Sequence, residues 1–177
     1  MMIKKAFTLI ELVIVILIIW ILFGALGYLS WSYVYKLNIQ NDQETVSQTF
    51  FSVQTMSLSQ PVYKNIPLSY IWVKLIPKKS YFLVVGLTGD LSKDVFSLDS
   101  KHLNYLKFGS GFNVSGSFYE GEGIFLYKPY KIGAYFLIDD KIFSWNTIVK
   151  FTFSDKNSKV CFKMNLASGR LNKVKCN

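Results

Sequence analysis

Hydrophobic and polar positions divide the chain into stretches of different character. Residues 12–29 hold eighteen consecutive uncharged positions, preceded by one carboxylate at Glu11 and, further upstream, by Lys4 and Lys5. Such a run is about the length that a bilayer core requires. The lysines on its upstream side place the N-terminus in the cytoplasm and the rest of the chain on the far side. From Ser30 to about Leu58 the pattern stays helical but turns polar. Ile39, Val46, Phe50, Val53 and Met56 recur at helical spacings and form one apolar stripe. No Pro or Gly interrupts Tyr28–Gln60, and Pro61 ends the segment. A continuous helix over 7–58 would be about 78 Å long, far more than a membrane span. Gly24 and Gly27 weaken it locally, and serve either as a place where the helix melts or as a place where helices approach closely.

Residues 61–177 carry the shorter period of strands. Tyr70–Ile76, Tyr81–Leu87, Ile124–Tyr127, Gly133–Ile138, Ile142–Trp145, Ile148–Phe153, Lys159–Leu166 and Arg170–Cys176 are short, aromatic and β-branched. Turn-prone pieces separate them, among them Asp139-Asp140, Ser154–Ser158 and Ser168-Gly169. Strands that follow one another without helices between them pair antiparallel. Tyr81–Val85 is apolar on both faces, which predicts a central strand covered on one side by the Ile39–Met56 stripe. Thr88–Glu122 reads either as a long loop or as irregular strands. The expected fold class is therefore α+β: a long N-terminal helix, membrane-spanning and then amphipathic, packed on a C-terminal antiparallel β-domain.

Cys161 and Cys176 are the only cysteines. If Ser168-Gly169 is the centre of a hairpin, the two face each other directly and a disulfide can bridge them. An exported domain sits where such a bond forms. The same register sets Lys173 and Lys175 opposite Met164 and Phe162, which a bulge or an edge strand with snorkelling lysines would relieve. One His and two Cys do not make a four-ligand metal site. No phosphate loop or nucleophile elbow is present, and the turns at Gly121-Glu122-Gly123 and Asp139-Asp140 match no calcium loop. The reading is of a non-enzyme with no cofactor and no metal.

At this point the segment Lys4-Lys5-Ala6-Phe7-Thr8-Leu9-Ile10-Glu11-Leu12 carries further information. It resembles the leader and first helix of the type IV pilin family, which includes type II secretion pseudopilins and competence pilins. The resemblance covers residues 4 to about 30. It implies a leader over 1–6, cut between Ala6 and Phe7 by a prepilin peptidase that methylates the new Phe7 amine. Where the family usually has Gly before the cut, this chain has Ala6, the next smallest side chain. The resemblance also implies that Glu11 is the assembly carboxylate, pairing with the amine of a neighbouring subunit in a filament. Phe7 and Glu11, spaced i, i+4, share one helix face. The segments then read as leader 1–6, membrane half 7–29, amphipathic half 30–60 and β-domain 61–177. The partners implied are the peptidase, other pilin or pseudopilin subunits and the inner membrane, with the C-terminal domain periplasmic or extracellular. The alternatives are a plain signal anchor whose Glu11 snorkels to the headgroups, or a secretory signal removed altogether.

The net charge of +9 is matched by residues 61–177 alone, with 17 Lys/Arg against 8 Asp/Glu. Lys159, Lys163, Arg170, Lys173 and Lys175 lie in a tail without acidic side chains. They form either a solvated basic surface that keeps an aromatic-rich domain soluble or a phosphate-tracking patch. The second is what a DNA-binding minor pilin would carry. Gly169-Arg170-Leu171-Asn172 keeps half of the Gly-Arg-x-Arg motif that some of those proteins have.

Overall fold

A computed structural model describes residues 8–59, 62–63, 66–67, 69–77, 84–86, 103, 105–155 and 157–176. The one helix among the described residues, α1 (Leu9–Leu58), passes through Gly24 and Gly27 without a break. Among the described residues twelve strands follow: β1 (Val62–Tyr63), β2 (Ile66–Pro67), β3 (Ile71–Leu75), β4 (Val84–Gly86), β5 (Lys107–Val114), β6 (Ser117–Glu120), β7 (Gly123–Tyr127), β8 (Tyr135–Ile138), β9 (Lys141–Phe143), β10 (Ile148–Asp155), β11 (Ser158–Asn165) and β12 (Arg170–Val174). The α+β layout read from the sequence is therefore present. The chain forms two units, residues 1–40 and residues 41–177, so the last turns of α1 group with the strands.

In the first unit α1 is apolar and open to its surroundings. Every described side chain of the 12–27 stretch is exposed. It is a helix long and apolar enough to cross a membrane.

In the second unit the strands make two five-stranded sheets and a small β1–β2 ribbon. Sheet I has the order β12-β11-β10-β5-β6, and sheet II the order β4-β3-β7-β8-β9. All pairings are antiparallel. The chain starts sheet II with β3 and β4, crosses to sheet I for β5 and β6, returns for β7–β9, and finishes sheet I with β10–β12. Between the sheets lies a core of phenylalanines. Phe50 of α1 meets Phe125 of sheet II edge-on at 5.3 Å and Phe151 of sheet I at 6.2 Å. Phe112 and Phe136 join the two sheets directly at 4.7 Å. Offset and edge-to-face ring pairs of this kind add about 0.5–1.5 kcal/mol each beyond their buried area.

The buried stripe of α1 includes Ile39, Val46, Phe50 and Val53, as the spacing predicts, but it also takes in two polar residues, Asp42 and Ser57. Met56 is half-buried, and Ser57 takes the innermost place in that turn. Both buried polar residues lie where α1 meets loop backbone. Asp42 Oδ2 accepts the amides of Tyr105 (2.9 Å) and Leu106 (3.2 Å), and the Ser57 carbonyl accepts the Tyr130 amide (2.9 Å). A buried carboxylate held this way satisfies two amides that would otherwise be orphaned.

Three expectations are changed or narrowed. Tyr81–Val85 does not supply a central strand: its described part lies in β4, at the edge of sheet II, and the central place belongs to β7. β3 pairs with β7 along its whole length, and a two-faced apolar run does not by itself say which strand takes the middle. For Thr88–Glu122 the described residues favour the second of the two readings: they contain strands β5 and β6, and the pairing of β5 with β10 shifts register between Phe151 and Phe153. β5 escaped pattern reading because Gly109 and Gly111 interrupt its alternation. Both glycines are required by close approach: a Cβ at Gly109 would lie 2.9 Å from the Thr152 carbonyl oxygen, and one at Gly111 2.4 Å from the Phe118 ring. Ser115 and Gly116, both at positive φ, turn β5 into β6. That is the two-residue hairpin geometry that Asp139-Asp140 also adopts between β8 and β9.

The third change is the register of the last hairpin. Asn165 pairs with Arg170 and Cys161 with Val174, so Ser168-Gly169 is not its centre. The turn begins two residues earlier because Asn165 holds it at both ends. Its side-chain oxygen accepts the Ala167 amide (3.0 Å) and its carbonyl the Gly169 amide (2.9 Å). The Cys161–Cys176 disulfide forms all the same, with Cα atoms 5.3 Å apart, but Cys176 reaches it diagonally from beyond the end of β12. The shift sets Leu171 opposite Met164 and Lys173 opposite Phe162. β12 is an edge strand, and the Lys173 amine snorkels to the Gln43 side-chain oxygen.

Candidate functional site

Two places in the molecule carry candidate chemistry. The first is the start of α1. Ala6 and Phe7, the expected cleavage and methylation positions, lie outside the described residues. Glu11 lies within them and closes a capping box with Thr8. Its Oε2 accepts the Thr8 amide (2.9 Å) and the Thr8 hydroxyl (2.8 Å), while the Glu11 amide approaches the same hydroxyl oxygen (3.4 Å). The first turn of a helix has amides without intrahelical partners, and a Thr-x-x-Glu sequence satisfies two of them reciprocally. Thr8 was therefore legible as a partner of Glu11 from spacing alone. Glu11 is fully solvent-exposed in the chain and is the only acidic residue in the first forty positions.

The second place is the outer face of sheet I. Along β11 the residues Val160, Phe162 and Met164 point into the core, which leaves Lys159, Cys161, Lys163 and Asn165 on the other side. Along β10 the same alternation puts Lys150 and Thr152 outside. Register then lines up one row across the sheet. Asn172 faces Lys163, Lys163 faces Lys150, Lys150 faces Asn113, and Asn113 faces Phe118. A shallow groove of about 500 Å³ runs over Lys163, Lys150, Asn113 and Phe118 of this row, lined also by Thr152, Cys161, Val174 and Lys175, while Asn172 and Arg170 border a separate hollow beside Ser47, Phe51 and Gln54 of α1. Further along, Lys159 and Lys107 flank Ser154 from either side.

Lys150 and Lys163 are direct cross-strand neighbours. Like charges in that position destabilise a sheet by something on the order of tenths of a kcal/mol. Among the described residues no ion pair relieves either of them; the one salt bridge, Lys74–Glu122, lies elsewhere. Phe118 is 60% exposed and lays its ring over Gly111 at the end of the row. The one carboxylate on these outer strand positions is Glu120, at the far end of β6.

Of the five basic residues singled out in the sequence, Lys159, Lys163, Arg170 and Lys175 are thus on or beside one face. Lys173 is not: it points to the helix side and is engaged by Gln43. Sequence reading missed Lys107, Lys150, Asn113 and Phe118, which join the face only through the β5–β10 and β5–β6 pairings. Among the described residues no three His, Cys, Asp or Glu side chains converge as metal ligands.

No protein-family model matches the chain, and no curated protein or solved structure is detectably similar to it.

Proposed function

We propose that this chain is a structural subunit of a type IV pilin-like filament, a minor pilin or type II secretion pseudopilin. On this reading it is cut between Ala6 and Phe7 by a prepilin peptidase, methylated at Phe7, and held in the inner membrane until assembly. The observation that carries it is α1. A single helix bears one acidic residue at its apolar start, stays exposed and apolar for the length of a membrane span, and ends with a buried stripe in an antiparallel β-domain. An exposed apolar helix of that length needs lipid or other helices around it. An acid among its first residues is costly in lipid unless a cation meets it, and the amine of a neighbouring processed chain is such a cation.

The test is filament incorporation, measured by shearing and blotting, for three variants. Glu11→Ala inserts into the membrane at least as well as the native chain, because a carboxylate opposes insertion, and is lost from filaments. Glu11→Gln keeps the capping box, which accepts either residue, but has no charge, and is also lost. Thr8→Ala removes the cap and keeps the charge, and is incorporated. Normal incorporation of both Glu11 variants would leave an ordinary membrane anchor in place of a filament subunit.

A further inference from the structure

The row across sheet I asks for a ligand that the filament reading does not supply. Two lysines are direct neighbours on adjacent strands, with Asn113 and Asn172 next to them in the row; Lys150, Lys163 and Asn113 line the groove together with Thr152 and its hydroxyl, and Asn172 lies at its margin, where it also borders a hollow beside α1. All five groups can donate hydrogen bonds, none contributes negative charge, and two of them, Lys150 and Lys163, are positive. That is a set matched to phosphate oxygens. The mutual repulsion of Lys150 and Lys163 is relieved by an anion seated between them and by nothing else described nearby. At the end of the same row Phe118 presents an open ring. One side of the ring packs on Gly111, where a Cβ would lie 2.4 Å from it, and the rest is open.

We propose that the outer face of sheet I binds single-stranded nucleic acid, with phosphates at Lys150 and Lys163 and a base stacked on Phe118. A basic groove beside an aromatic ring is the general device for single strands, since every base has a face to stack and only an unpaired base can offer it. Duplex DNA keeps its bases inside, and is read by an element that protrudes into a groove; here the lysines sit in a recess of a sheet. The inference is independent of filament assembly, and it replaces the patch read from the sequence: Lys173 leaves it, and Lys150, Asn113 and Phe118 enter.

The test uses the full chain in nonionic detergent and a fluorescent oligothymidylate, with anisotropy measured at several salt concentrations. Binding should weaken linearly in log–log form, with a slope of about −0.7 for each phosphate neutralised. Lys150→Gln/Lys163→Gln keeps most of each side-chain stem and should make that slope shallower by about 1.4. Phe118→Leu still covers Gly111 but has no ring, and should weaken binding about 5- to 100-fold with the slope unchanged. Phe118→Tyr should bind like the native chain, as should Lys173→Ala. An intact Cys161–Cys176 bond and native circular dichroism certify each variant. Binding of a duplex as tight as that of the single strand, native affinity in Phe118→Leu, an unchanged slope in the double variant, or no binding at low salt would each overturn the proposal.

Discussion

The two halves of α1 are built from the same backbone and do opposite things with their side chains. Between Leu9 and Leu26 the large apolar residues point in every direction and all are exposed; between Asp42 and Ser57 the buried ones keep to a single stripe. The first half is a helix because it is apolar all round and satisfies its backbone internally, which is what lipid demands. The second is a helix because one face has a core to enter. Hydrophobicity alone therefore does not tell where a residue contributes to folding. Leu17 is 57% exposed and Phe50 1% exposed, though both are large, apolar and helical.

The largest effect that can break this comparison comes from that pair. Phe50→Ala removes a ring that touches both sheets and should destabilise the β-domain by about 3–5 kcal/mol, seen as a lower denaturant midpoint in near-ultraviolet circular dichroism. Leu17→Ala should leave the midpoint within about 0.5 kcal/mol of the native value. Equal losses would mean that the first half also supports the core.

Next comes the strand beside the second half. β12 is held there by Lys173 on Gln43, by the Ser168 carbonyl accepting from Gln54 (2.7 Å), and by the disulfide. Cys176→Ser opens a loop spanning a sequence separation of 15 and should cost about 3 kcal/mol in the chain-entropy account. Membrane insertion of the first half should be unaffected, as followed by carbonate extraction.

A smaller loss is expected from Asp42→Ala, which strands the amides of Tyr105 and Leu106 and should cost about 1–3 kcal/mol. Hydrogen exchange should show those two amides losing protection first.

The smallest expected effect is at Tyr127, whose buried hydroxyl donates to the Gly169 carbonyl (3.2 Å). Tyr127→Phe should cost about 0.5–1.5 kcal/mol at neutral pH. Burial raises the phenol's pKa above its ordinary value of 10.0. The folded state therefore favours the protonated form, and its contribution is complete below that value and lost as pH rises past it. The native chain should lose stability above pH 10 faster than Tyr127→Phe does. Parallel alkaline melting curves for the two would show that Tyr127 ionises as freely folded as unfolded.

How much of this was legible in the sequence follows the range of the interactions involved. The apolar run, the stripe from Val46 to Val53 and most strands depend on neighbours a few positions away, and local periodicity carries them. The place of Tyr81–Val85, the strand nature of Lys107–Val114 and the last hairpin's register depend on distant partners. Gly111 breaks the strand pattern only because the Phe118 ring must pass over it. The disulfide pairing was readable and its geometry was not, since Asn165 rather than Gly169 opens the turn. At the outer face the lysines are visible as charge, but adjacency between Lys150 and Lys163 exists only once β10 and β11 are in register.

The alternation of the chain between the sheets has a consequence for the order in which it can fold during synthesis. Ile71 of β3 waits for Tyr127 of β7, fifty-six positions later, while β5 begins a second sheet whose other neighbour, β10, is later still. Neither sheet can close before the other is under way, so a chain emerging from its N-terminus holds two unfinished edges at once. Contacts this distant in sequence form slowly and leave unpaired strands exposed to other chains. A helix already lodged in a membrane would keep each such chain tethered apart from its neighbours while it waits.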